Sequence, residues 1–191
     1  MTLPDIAPLQ PPLSAVQQLL ERFDNQGVII GGVAVSLLGA PRLTADVDVV
    51  ILLSVHRLPD LLRAAAELGL VPRIAEAEQF ARRNRVVLLQ HEASGINVDI
   101  SLGMLPFEDE VVARSSAHRV GDLELRLPTP EDLIILKAVA HRPKDMLDIA
   151  EIIKSHPHLD RMRVERWVRD FSVALEAPQI WEDVAQLLRS R

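Results

Sequence analysis

The chain has 191 residues and a formal net charge of −6 at neutral pH, and hydrophobic residues make up 48% of it. That is enough for one sizeable core, or one domain with a small helical appendage, and it excludes disorder for most of the length. The charge argues against a dedicated nucleic-acid coat without excluding RNA as a substrate. No apolar run approaches the roughly 18 residues of a membrane span. Cysteine is absent, which rules out disulfides and thiolate metal sites and fits a reducing, cytoplasmic location.

The first residues, MTLPDIAPLQPPLS, lack the basic start and apolar stretch of a signal peptide and read as a loosely held, Pro-rich lead-in. Leu13, Val16, Leu19, Leu20 and Phe23 then recur at helical spacing, with Ser14 near the start. Val28 to Ile30 reads as a short strand. Gly31 to Leu38 reads as a helix closed by Gly39, with Pro41 beyond it. Ala45 to Leu53 is a strand, apolar on both faces after an acidic entry, as in the middle of a sheet. A helix over Leu58 to Leu68 carries Pro59 in its first turn and stops at Gly69, and a second covers Glu76 to Arg83. Strands at Val86 to Gln90 and Ile96 to Leu102 flank a polar turn, and Gly121-Asp122 marks a further hairpin.

After Leu127 the pattern turns helical. Thr129-Pro130-Glu131-Asp132 combines a cap, Pro at the first position and acids in the first turn. That helix runs to about His141, the next from Pro143 to about Ser155, and two amphipathic helices end the chain. The expected fold is therefore α/β (α+β): a small mixed sheet flanked by helices, followed by a C-terminal helical bundle. The expected division is 1–127 for the core with its N-terminal helix and 128–191 for the helical region.

The chemistry concentrates between Ile29 and Leu53. Gly31 and Gly32 follow a strand and open a helix, where the backbone can approach a phosphate. Asp46 and Asp48 lie two apart on a strand, so their carboxylates share a face and can hold a divalent metal together. On a later strand Ile96, Val98 and Ile100 alternate with Asn97, Asp99 and Ser101, which puts Asp99 on the polar face. If the two strands pair, three carboxylates converge, a donor set that suits Mg²⁺ or Mn²⁺. Such ions polarise an α-phosphate, activate a hydroxyl and stabilise leaving pyrophosphate, with Asp99 placed to help take the proton. These are the parts of a nucleotidyl-transfer site. The bland reading of Asp99 alone is a solvent-facing acid on a half-exposed strand.

The Gly31-Gly32 pair, Asp46-x-Asp48 and the downstream Asp99 resemble the DNA polymerase β-like nucleotidyltransferase superfamily. The resemblance spans roughly residues 27–155. It implies that Arg42 and Thr44 border the triphosphate. Where that superfamily often has Ser as the second residue of the pair, this chain has Gly32, which leaves backbone donors only. Asp132-Leu-Ile-Ile-Leu-Lys137 and Arg142-Pro-Lys144-Asp145-Met-Leu-Asp148 resemble later motifs of AbiEii/AbiGii-type toxin nucleotidyltransferases. That likeness implies a Lys137 contact with the triphosphate, and an Asp145 that acts near the acceptor or orients the lysine. The competing readings are a snorkelling Lys137 and helix-dipole compensation by Asp145 and Asp148.

These features together imply NMP transfer from an NTP to an RNA (tRNA) or protein acceptor. The resemblance adds a toxin of a toxin–antitoxin pair, with a cognate antitoxin as partner. Two alternatives are a small-molecule enzyme of the aminoglycoside-modifying kind and a non-catalytic nucleotide-binding module. Two arginine groups, Arg73, Arg82, Arg83 and Arg85, and Arg161, Arg163, Arg166 and Arg169, read as solvated faces or as binding patches. His156 and His158, beside Pro157, read as capping or solvated groups.

Overall fold

The computed structural model describes residues 7–41 and 43–189. In chain order its elements are α1 (Gln10–Glu21), β1 (Gly27–Ile30), α2 (Gly31–Leu38), β2 (Asp46–Ile51), α3 (Leu58–Glu67), β3 (Leu70–Pro72), α4 (Ala77–Asn84), β4 (Val86–His91) and β5 (Ile96–Leu102). There follow α5 (Pro106–Arg114), β6 (Ser116–Val120), β7 (Leu123–Leu127), α6 (Pro130–Ala140), α7 (Pro143–Ser155), α8 (Arg161–Ala174) and α9 (Pro178–Arg189). The fold is mixed α/β, with helices after the last strand, as expected.

Three local expectations change. Pro11 and Pro12 fall in the first turn of α1 and not in a loose lead-in, where a missing N–H costs nothing because first-turn amides have no intrahelical acceptor. Residues 1–6 of that lead-in lie outside the described residues. The short strand β3 and the helix α5 had no counterpart in the sequence reading. α5 starts because Pro106 takes the first position and the Glu108 carboxylate accepts from the backbone N–H groups of Met104 (2.7 Å) and Leu105 (2.9 Å).

The chain divides into two compact units, Met1–Val33 with Arg42–Pro128, and Ala34–Pro41 with Thr129–Arg191. The first is built on a five-stranded sheet of order β1-β2-β5-β4-β3. Its central pair, β2 and β5, is parallel, and the flanking pairs are antiparallel. β6 and β7 form a separate hairpin that turns at Gly121, where φ is +62°. On one face of β2 and β5, Val47, Val49, Val98 and Ile100 are all but fully buried. Each such side chain contributes roughly 1.5–3 kcal/mol of hydrophobic stabilisation. The alternate positions carry the polar residues.

In the second unit, α6 packs against α7, α8 and α9. Leu133, Ile134, Ile135 and Ala138 are buried nearly all round this helix. A helix buried on most sides cannot leave a charge unpaired, and this sets the terms for Asp132 and Lys137 below. No helix among the described residues is long and apolar enough to cross a membrane.

Candidate functional site

Strand pairing brings the three sequence-predicted carboxylates of the first unit onto one sheet face. In the parallel β2–β5 register Asp46 lies beside Asn97 and Asp48 beside Asp99. Laterally paired residues point to the same side, as do positions two apart on a strand. Asp46 is exposed, while Asp48 and Asp99 are half-buried. On the other flank of β2, Asp48 pairs in register with Ile30, the last residue of β1.

Gly31 follows immediately and starts α2 with a φ of +64°. A Cβ built there would fall onto the Asp48 carboxylate. Glycine is therefore required twice over, for the left-handed backbone and for the space that Asp48 occupies. Gly32 is buried in the first turn of α2, so the pair brings backbone amides and a carboxylate close together at a helix N-terminus. Thr44 steadies the entry to β2 through its hydroxyl, which donates to the Asp46 carbonyl at 3.3 Å. Arg42, the other residue expected to border a triphosphate, lies outside the described residues.

The third acid is engaged. Arg73, the residue after β3, donates through Nη1 and Nη2 to the two Asp99 carboxylate oxygens at 2.6 and 3.1 Å, and Nη1 also reaches the Leu89 carbonyl at 3.3 Å. Its backbone N–H bonds to the Leu88 carbonyl, and Leu88 is the register partner of Asp99. Arg73, Leu88, Asp99 and Asp48 thus form one row across the sheet. Sequence reasoning had placed Arg73 only in a basic cluster; its approach to Asp99 depends on strand order, which leaves no local signal.

The donor chemistry and shared face of Asp46, Asp48 and Asp99 fit a hard divalent cation. The third carboxylate is turned to a guanidinium instead, and among the described residues no group of three or more His, Asp or Glu side chains is gathered to hold a metal.

Lys137 and Asp145 sit in the second unit in a very different setting. Lys137 is 5% exposed, Asp145 0% and Asp148 6%. The Lys137 ammonium donates to Asp145 Oδ1 at 2.9 Å and meets Asp148 Oδ2 at 2.7 Å. Asp145 is the third residue of α7, and its Oδ2 also accepts from the Arg142 backbone N–H (3.1 Å) and Nε (2.7 Å). Burial, the largest influence on Asp145, works to raise its pKa. The hydrogen bonds from Arg142 and Lys137 together outweigh it and hold the carboxyl below the usual range. Lys137 is therefore neither snorkelling nor turned to an open surface; it ties α6 to α7. The other buried charge of α6, Asp132, accepts from Arg163 Nε at 2.7 Å.

Both arginine groups are largely engaged within the chain. Arg82 pairs with Glu78, and Arg85 caps the Leu102 and Gly103 carbonyls. Arg163 turns inward to Asp132, while Arg169 pairs with Glu165 and lies 4.4 Å from the Trp181 ring centroid. His156 bonds the Ile152 carbonyl at 3.1 Å, a capping contact.

The sheet thus carries acids on adjacent parallel strands beside a Gly-Gly turn that leads into a helix. The family described as "Nucleotidyltransferase of unknown function (DUF6036)" matches residues 12–170, and the chain belongs to it. Among solved structures it is similar to an antigenic nucleotidyltransferase-like protein from Paracoccidioides brasiliensis, at 18% identity and a TM-score of 0.56, covering 93% of this chain and 92% of that one. It is also similar to the antibiotic-resistance factor ANT(2'')-Ia, at 14% identity and a TM-score of 0.57, covering 89% and 96%. At these identities the likeness shows the fold. No curated protein matches the sequence.

Proposed function

We propose that the chain is an NTP-dependent nucleotidyltransferase that releases pyrophosphate, with RNA, tRNA in particular, or a protein as acceptor. The observation that carries this reading is the convergence of Asp46, Asp48 and Asp99 on one sheet face, beside the Gly31 turn that makes room for Asp48. Asp46, Asp48 and Asp99 would hold Mg²⁺ or Mn²⁺, which supplies charge neutralisation at the phosphates when bound. Gly31 and Gly32 offer backbone donors to the β- and γ-phosphates, and Thr44 and Arg42 border them. Asp99 takes the proton of the attacking hydroxyl as the acceptor oxygen bonds the α-phosphorus. The bond from that phosphorus to the β-phosphate oxygen breaks, and pyrophosphate departs. Lys137 and Asp145 are proposed as members of the catalytic set, a role additional to their ion-pair cluster. A toxin role, with a cognate antitoxin, is the finer form of the same reading.

The test is to incubate the chain with each α-labelled NTP, Mg²⁺ or Mn²⁺, and either total tRNA, cell lysate or an aminoglycoside. An Asp46→Asn/Asp48→Asn variant serves as control. Label on RNA or a protein band with the wild type alone is the expected result and names the base and acceptor class. Label on the aminoglycoside instead would move the assignment to small-molecule modification. Equal labelling by the double variant would remove the carboxylates from the chemistry, and nucleotide binding without any transfer would leave a binding module.

A further inference from the structure

Asp99 is held from both of its carboxylate oxygens by Arg73. The fork is bidentate and part-buried, with side-chain exposures of 25% for Arg73 and 32% for Asp99. A guanidinium in this geometry occupies the in-plane lone pairs that a cation would use. Arg73 is itself fixed on two sides, through its backbone N–H to Leu88 and through Nη1 to Leu89, so the contact is built into the edge of the sheet and is not a wandering surface pair.

We propose that Arg73 is a positioning residue that latches Asp99 away from a divalent cation, so that recruiting Asp99 to the site requires the fork to open. This rests on the nucleotidyltransferase reading and goes beyond it by naming the group that sets the site's occupancy. Arg73 and a divalent cation compete for the same two oxygens. Asp99 then joins Asp46 and Asp48 around a cation only on exchange. A residue that merely braced the sheet edge would leave cation affinity unchanged when replaced.

The experiment is a Mn²⁺ titration followed by electron paramagnetic resonance, with a non-hydrolysable NTP present. It compares wild type, Arg73→Gln, Arg73→Lys, Asp99→Asn and the double variant Arg73→Gln/Asp99→Asn. Arg73→Gln is expected to bind Mn²⁺ about fivefold more tightly, as release of one half-buried ion pair allows. Arg73→Lys keeps the charge but not the fork and falls between the two; it also serves as the folded variant should Arg73→Gln lose structure. The gain must vanish in the Asp99→Asn background. If it persists there, the effect is through-space charge removal and the latch is overturned. Equal affinity of wild type, Arg73→Gln and Arg73→Lys overturns it as well, with the nucleotidyltransferase reading intact. If none of the variants nor the wild type binds Mn²⁺ with nucleotide, both fall together.

Discussion

The two units each gather aspartates, and they treat them in opposite ways. On the sheet face of the first unit Asp46 is exposed and Asp48 and Asp99 are half-buried. Between α6 and α7 of the second, Asp145 and Asp148 are shut in around a single lysine. Hydrated carboxylates cost little to keep ionised and remain accessible to a ligand. Buried ones persist as charges only because a cation and backbone donors reach them. The first arrangement can exchange partners; the second holds helices together.

That contrast is tested most severely by removing the lysine. Lys137→Met leaves two buried carboxylates around an apolar stem, and unfolding in urea should show a loss of about 3–5 kcal/mol. Lys137→Arg, which keeps a cation, should lose less. If Lys137→Met unfolds at nearly the wild-type denaturant concentration, the cluster is not the brace that its burial implies.

A smaller effect follows from acid. The folded pKa of Asp145 lies below its unfolded value, so its contribution is fully present above the unfolded carboxylate range. It is lost as pH falls from about 4 through the folded value. Protonation also relieves a buried carboxylate that has lost its lysine, so the cost of Lys137→Met should shrink over the same window. Melting curves of both proteins between neutral and acidic pH decide this; a deficit that grows on acidification contradicts the assigned sign.

How much of this was legible beforehand differs between the regions for a physical reason. Strand parity fixed which face Asp46, Asp48 and Asp99 take, because a period of two leaves no other choice once a strand is granted. The start of α6 was equally readable: Thr129 accepts from the Asp132 N–H at 3.2 Å, and Pro130 takes the first helical position. What stayed hidden depends on contacts remote in sequence. Arg73 reaches Asp99, 26 positions away, only because β4 lies between β3 and β5. Arg163 reaches Asp132 across 31 positions. Lys137, with apolar neighbours on its own helix, looked like a residue reaching outward until the partners of α6 covered that helix nearly all round. Local pattern supplies the candidates, and packing decides which of them stay exposed.

The smallest effect on stability belongs to Asp46. Its side chain is exposed, and the Thr44 hydroxyl bonds its carbonyl, a contact that a side-chain change keeps. Asp46→Asn should therefore shift unfolding by no more than about 0.5 kcal/mol, as for other surface substitutions. The same change removes one of the proposed cation-holding carboxylates, so nucleotidyl transfer should fall by roughly 10³-fold, equivalent to about 4 kcal/mol in the transition state. Stability and activity then separate at this residue, whereas at Lys137 a stability loss would carry activity down with it. A destabilised Asp46→Asn protein, or one that transfers at the wild-type rate, would mean that the open face is structural after all, and the distinction between the two regions would have to be redrawn.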